Sequence, residues 1–426
     1  MAAPRRHWIP PAGLLTGFAA HGISWIVLLV LAVRKPFAVG LPALAWVHLV
    51  ALGWLTMIAL SVLVYVIPTF TDVAWKGELL ARRALVVYAC GVAALVAAFW
   101  WQALPALPWA ATLVVTGLGC YLVPAARILA AGYAQPRVEA AIARALSATL
   151  ASLLVTAGLG FILAWALAGG RLPSSVIVFG PQIHAAFGTI GWLTVLIMGV
   201  STQTVRPITG GRSRFGWAHA AAGGAEFVGL IAMAVGFALG QAAFAWTGVI
   251  TIAAGALLYI GDLVDVLRRA TQPHRPPQAF LWGGAVWLLV GLTLALSALV
   301  DGHSGAAAVY VLLVGWIGQM VNGHLYHIGI RLLATMARGD DDETRPGELL
   351  TEPLSWVSFG LFQAAVAAGA AGLLLETAAL LETGALCGVA GWLAMAANVI
   401  IARHRAIAER PPPTPPPTLS LLQMVR

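Results

Sequence analysis

Long apolar runs alternate with short polar breaks along nearly the whole chain. Most runs exceed ~18 residues, the length a membrane-spanning helix needs. The pattern predicts twelve spans, roughly 11–33, 41–69, 84–104, 107–130, 145–169, 175–206, 215–240, 243–266, 279–300, 305–336, 353–376 and 380–402. They leave no room for a sizeable soluble domain. The expected fold is an all-α polytopic membrane protein. Residues 1–405 form one transmembrane domain, and residues 406–426 a Pro-rich tail. The first apolar stretch is followed at once by another span, so it reads as helix 1 and not as a cleaved signal peptide.

A short signature recurs in the spans. Gly53-Trp54-Leu55-Thr56 in helix 2 returns as Gly191-Trp192-Leu193-Thr194 in helix 6, and more loosely as Gly315-Trp316-Ile317-Gly318 in helix 10. An internal repeat usually reflects architecture. A unit of four helices used three times predicts a pseudo-threefold 4+4+4 arrangement. Helices 2, 6 and 10 are also the long ones. Pro68 and Pro207 are expected to break or end two of them.

Composition supports the membrane reading: 60 % of residues are hydrophobic and 9 % charged. The formal charge of +8 is no nucleic-acid footprint, because the cations sort by side. Arg5, Arg6, Arg82, Arg83, Arg137, Arg144, Arg212, Arg214, Arg268, Arg269, Arg338 and Arg345 fall in one set of alternate loops and termini. Only Arg34, Lys35 and Arg171 fall on the other side. The positive-inside rule then places both termini in the cytoplasm, here of a bacterial inner membrane. Trp100, Trp101, Trp109 and Trp282 suit an interfacial belt.

The acidic run Asp340-Asp341-Asp342-Glu343 reads as a solvated loop, with partner docking as the alternative. The tail Pro411 to Pro417 favours polyproline II, and Leu419 to Met424 after it offers a small apolar contact for the membrane or a partner. Cys90, Cys120 and Cys387 are isolated in apolar sequence and read as packing residues. The forty-six glycines permit close helix approach. There is no Gly-rich phosphate cradle, nucleophile triad or paired-carboxylate site.

The signature serves as a ruler for the histidines. His48 and His184 precede their Gly-Trp by five and seven residues, so they differ in depth by only ~3 Å. Both lie near the outer face, with His21 of helix 1 somewhat deeper. By azimuth the pair point in opposed local directions, which is compatible with meeting between helices 2 and 6 but does not require it. His324 and His327, nine and twelve residues after Gly315, lie far below and share a helix face. His219 enters from the same cytoplasmic side. Two groups result: an outer one (His48, His184, His21) for haem or metal, and an inner one (His219, His324, His327) for a metal or a polar vestibule. His7, His274 and His404 read as surface residues, and His303 lies in an outer loop.

Ionisable groups inside a bilayer are costly and point to function. Glu226 is the carboxylate placed most clearly within a span, a proton-relay or ligand-pocket candidate. Asn322 and Gln319 flank the inner histidines and are expected to hydrogen-bond them. Asp262 and Asp265, near the end of helix 8, are expected to face water.

Twelve helices with the repeat at helices 2, 6 and 10 resemble the catalytic subunit I of haem-copper oxidases. The stretch His48-Leu-Val-Ala-Leu-Gly53-Trp54, continuing to Tyr65 and Pro68, is similar to helix 2 of the cbb3-type branch. In that family the helix-2 histidine is an axial ligand of the low-spin haem, so the resemblance implies the same for His48. The chain departs elsewhere. Where the family carries His-x-His in helix 10, this chain has Ala306 to Leu313, with Tyr310 at the register of His48. Where helix 7 should carry a copper-binding His-His pair, it reads Ile231 to Gly236. The helix-6 copper histidine and cross-linked tyrosine are not recognisable, although His184 lies on that helix. These departures argue against oxygen reduction. They suggest a divergent relative comparable to nitric-oxide-response haem-copper membrane proteins (NnrS-type).

The expected function is binding of haem, b-type as the simplest case, through His48 with His184 or His21. The role would be electron transfer or gas and redox handling beside a respiratory or redox partner subunit, with copper or another metal as a further cofactor. The alternative is a cofactor-free transporter or channel for a metal ion, proton or small solute on the same scaffold. A third reading is a structural or assembly partner of a respiratory complex.

Overall fold

The computed structural model describes residues 10–34, 37, 40–133, 135, 140–339 and 345–408. Arg5, Arg6, His7, Lys35, Arg137, the acidic run 340–343 and the Pro-rich tail with its apolar end lie outside the described residues.

Twelve helices are long and apolar enough to cross a membrane. They are α1 (Pro11–Arg34), α2 (Leu41–Thr71), α3 (Glu78–Trp100), α4 (Leu104–Gly132), α5 (Ala140–Leu167), α6 (Ser174–Ser201), α7 (Ala218–Leu239), α8 (Ala242–Arg268), α9 (Pro276–Val300), α10 (Gly305–Arg338), α11 (Glu352–Leu374) and α12 (Ala378–Ala408). The chain is a multi-pass, all-helical membrane protein. The physical reason is that a helix satisfies its own backbone polar groups where lipid cannot.

The helices α3 and α4, α7 and α8, and α11 and α12 pack along their lengths as antiparallel pairs. Small residues let them approach. At Gly229 and Gly236 of α7 and Gly248 of α8, an added Cβ would strike the neighbouring backbone. Further contacts join α4 to α5, α8 to α9 and α12 to α1. The helices α2, α6 and α10 meet at the centre. In α2 and α10, 72 % of the most apolar window is buried, against 22 % in α9, so α9 is the most peripheral of the twelve.

The Gly-Trp pair of each signature lies in a stretch of wide, π-helical turns: Leu49–Thr56, Phe187–Thr194 and Val311–Ile317. A fourth such stretch, Leu325–Gly329, follows in α10. Nothing in the apolar pattern foretells these turns, which often mark functional positions. The three tryptophans are all buried at the bundle centre. Trp192 Nε1 donates to Thr56 Oγ1 at 2.8 Å, and Trp316 Nε1 to Thr194 Oγ1 at 3.0 Å. The corresponding position of α10 is Gly318, and there Trp54 Nε1 has no partner.

Three expectations need correction. The prolines do not end their helices at once: Pro68 lies inside a helix that continues to Thr71, and Pro207 inside one that continues to Thr209. The stops come at Asp72 and Gly210, both in the left-handed region. Cys90 is exposed on the bundle surface and not packed in the core. Asp262 is buried, as described below.

Candidate functional site

His48 ends the first, α-helical part of α2, and His184 lies in the corresponding part of α6, just ahead of their wide-turn segments. Their rings lie near one another across the α2–α6 boundary. The centroids are 6.2 Å apart and the planes differ by 20°. His48 Nδ1 bonds the Leu44 carbonyl at 2.8 Å, and His184 Nδ1 bonds the Thr156 carbonyl of α5 at 2.9 Å. A carbonyl can only accept, so each Nδ1 carries the hydrogen. In the neutral tautomer the lone pair then sits on Nε2. Neither Nε2 has a hydrogen-bond partner among the described residues. Phe99 of α3 flanks His48 at 4.9 Å between ring centres. Gly160 of α5 makes room for His184, because a Cβ there would stand 2.8 Å from the imidazole Cε1.

By ring separation, the pair matches two imidazole ligands of one metal centre. A metal–imidazole nitrogen bond is ~2 Å and the nitrogen lies ~1 Å from its ring centre, so two such ligands place their ring centres ~6 Å apart. Direct stacking is much closer, as His21 on Trp54 illustrates at 3.6 Å and 8°. Histidine ligands also characteristically donate their other ring N–H to a carbonyl, which fixes tautomer and orientation.

His21 does not join the pair. It is fully buried between Trp54 and Phe362, whose ring centre is 5.3 Å away, and its remaining ring contact is Trp25. Both of its ring nitrogens lack a partner. At the α10 level corresponding to His48, the Tyr310 hydroxyl donates to the Ala365 carbonyl of α11 at 2.8 Å, and its ring stacks on Trp46.

The inner trio is not assembled. His324 is held by the Met320 carbonyl at 2.6 Å and by Thr204 Oγ1, in the helical continuation of α6 to Thr209, at 2.9 Å. His327 follows His324 by three residues on α10. His219 instead pairs with Asp262 of α8, at a very short contact. Asp262 also accepts from Ser213 in a short hydrogen bond. Gln319 bonds Gln363, which in turn accepts from Trp287, and so does not serve the histidines. Asn322 is buried with Oδ1 unpartnered. No cluster of three or more His, Cys, Asp or Glu suited to a metal ion occurs among the described residues.

Asp262 is 3 % exposed, whereas Asp265 one turn on meets Arg214 and Arg269 at the surface. The sequence reading missed this difference. Its available signal was Tyr259, three residues before Asp262 and therefore on the same helix face. Tyr259 packs edge-on against His219 at 5.2 Å, and its hydroxyl meets Ser201 at 2.8 Å. Glu226 is 1 % exposed, packs against Gly255 and has no hydrogen-bond partner among the described residues.

No model of a known protein family matches this chain, and comparison with characterised proteins finds no similar sequence.

Proposed function

We propose that this protein binds one haem between α2 and α6, held by His48 and His184, and works in electron transfer. The single observation that carries the reading is the pair itself. It combines near-parallel rings 6.2 Å apart with Nδ1 of each tied to a carbonyl and Nε2 of each left free. A b-type haem is the simplest occupant, since it needs no covalent attachment. Held by these residues, haem would supply one-electron redox chemistry. The chain's own part is to fix both rings through the Leu44 and Thr156 carbonyls and to pack Phe99 of α3 against His48. An electron donor and acceptor, partner subunits of a respiratory assembly, complete the role.

The tryptophan–threonine bonds at the centre support a pseudo-threefold 4+4+4 arrangement of the helices. The distribution of arginines supports an orientation with both termini on the cytoplasmic side, and we place the protein in a bacterial cytoplasmic membrane.

The test is an absorption spectrum of the full chain purified from haem-replete cells. A Soret band with sharp low-spin α and β bands is expected, and His48→Ala and His184→Ala should each abolish the low-spin signature. A stable but colourless protein would overturn the reading and favour the transporter alternative.

A further inference from the structure

A second polar system runs along the seam between α7 and α8, far from the histidine pair. At the arginine-rich end an open cleft of about 810 Å³ is lined by Arg214, Trp217, Asp262, Asp265 and Arg269, among others. Asp265 is held there by Arg214 and Arg269. Behind the cleft wall, Asp262 pairs with His219, whose Nε2 is buried without a partner. Glu226 lies seven residues further along α7, two turns and ~10 Å deeper on the same face. Its Oε2 is buried and unpartnered.

Between them on that face stands Gly223, four residues from His219 and three from Glu226. It is buried, yet a Cβ built on it would meet nothing within 4 Å. The interior is thus open where a side chain would normally fill it. The α8 side of the seam matches. Gly255 opposes Glu226, and Tyr259, four residues on, presents its hydroxyl to Ser201 of α6 at 2.8 Å. Two more orphan oxygens lie near the depth of Glu226. Gly191 of α6 is flanked by Ser152 of α5 and Leu230 of α7. The helices α5 and α7 run in the same direction. Thr149, three residues before Ser152, therefore lies near the level of Glu226, four before Leu230. Thr149 Oγ1 and Ser152 Oγ are both buried without a partner. A buried polar group without a partner is costly, and water is the usual remedy where polar partners and room coincide.

We propose that the α7–α8 seam is a water-filled half-channel that carries protons between the arginine-rich face and the Glu226 carboxyl, by way of Asp262, His219 and the void at Gly223. Each step is proton exchange between a side chain and water, so no redox partner is required. The route is independent of the haem reading and stands on either scaffold function. Glu226 is its inner terminus, and Tyr259, Ser201, Thr149 and Ser152 supply hydroxyls along or beside it.

Infrared spectroscopy of the full chain in a lipid bilayer tests this directly. The Glu226 carboxylic-acid C=O band is identified by its loss in Glu226→Gln. On transfer to D2O that band should shift as fast as the buffer is exchanged. Gly223→Leu fills the void, and Asp262→Asn removes the entrance carboxylate. Each should slow the shift by roughly tenfold or more, equivalent to about 1.4 kcal/mol of added barrier. Gly224→Leu is the control: its neighbour on α7 also has open space at Cβ but is exposed on the outer surface, and exchange should stay fast. The absence of a Glu226-dependent acid band overturns the proposal. So does a band that does not exchange, or equally fast exchange in both blocked variants. Because the readout is the carboxyl itself, a colourless protein would leave this result standing.

Discussion

The indole N–H of Trp192 donates to the hydroxyl of Thr56 across 136 positions of sequence, at 2.8 Å in the centre of the bundle. The same bond joins Trp316 to Thr194. The third member of the cycle is broken, because Gly318 stands where a threonine would receive Trp54. Replacing Thr56 by Val keeps the shape and strands the Trp192 N–H. A loss of about 1 kcal/mol is expected, read as a lowered midpoint of thermal unfolding in detergent. Gly318→Thr should not repair the cycle. Its Cβ would stand 2.9 Å from Trp54 Cη2, so overpacking is expected to lower the midpoint as well, by about 1–3 kcal/mol.

His21→Ala separates packing from ligation. The imidazole fills a sandwich between Trp54 and Phe362. Its removal leaves a cavity and should cost roughly 3 kcal/mol in stability. The low-spin haem spectrum should persist. A spectrum lost in His21→Ala and kept in His184→Ala would reassign the second ligand.

At Gly229 the backbones of α7 and α8 nearly touch, and a Cβ would meet the Gly248 carbonyl oxygen at 2.8 Å. Backbone cannot yield as a flexible side-chain tip can. Gly229→Ala is therefore expected to destabilise the fold by about 1–3 kcal/mol, and Gly229→Leu to prevent recovery of folded protein on size-exclusion chromatography.

Asp262 and Asp265 lie three residues apart and should respond differently. Asp262→Ala leaves His219 buried without its partner, and a loss of about 3 kcal/mol is expected in thermal unfolding. Asp265 sits in an exposed ion-pair cluster with Arg214 and Arg269, so Asp265→Ala should unfold at nearly the wild-type temperature. Equal shifts in the two variants would contradict the burial assigned to Asp262.

The sequence by itself determined the number of spans, because apolar length is fixed by the bilayer and each span is read locally. It also determined the shared depth of His48 and His184, since rise along a helix depends only on residue count. Which residues face each other was another matter. The ruler ran through Leu49–Thr56 and Phe187–Thr194, whose wide turns change the rotation per residue, so azimuth could not be carried along it. Tertiary structure alone decided that His184 and not His21 stands opposite His48, that Asp262 turns inward to His219, and that the inner histidines part company. Those outcomes depend on which helices become neighbours. In a chain where nearly every helix is apolar on all sides, neighbour choice is set by small-residue contacts and a few polar bonds, and periodicity does not record it.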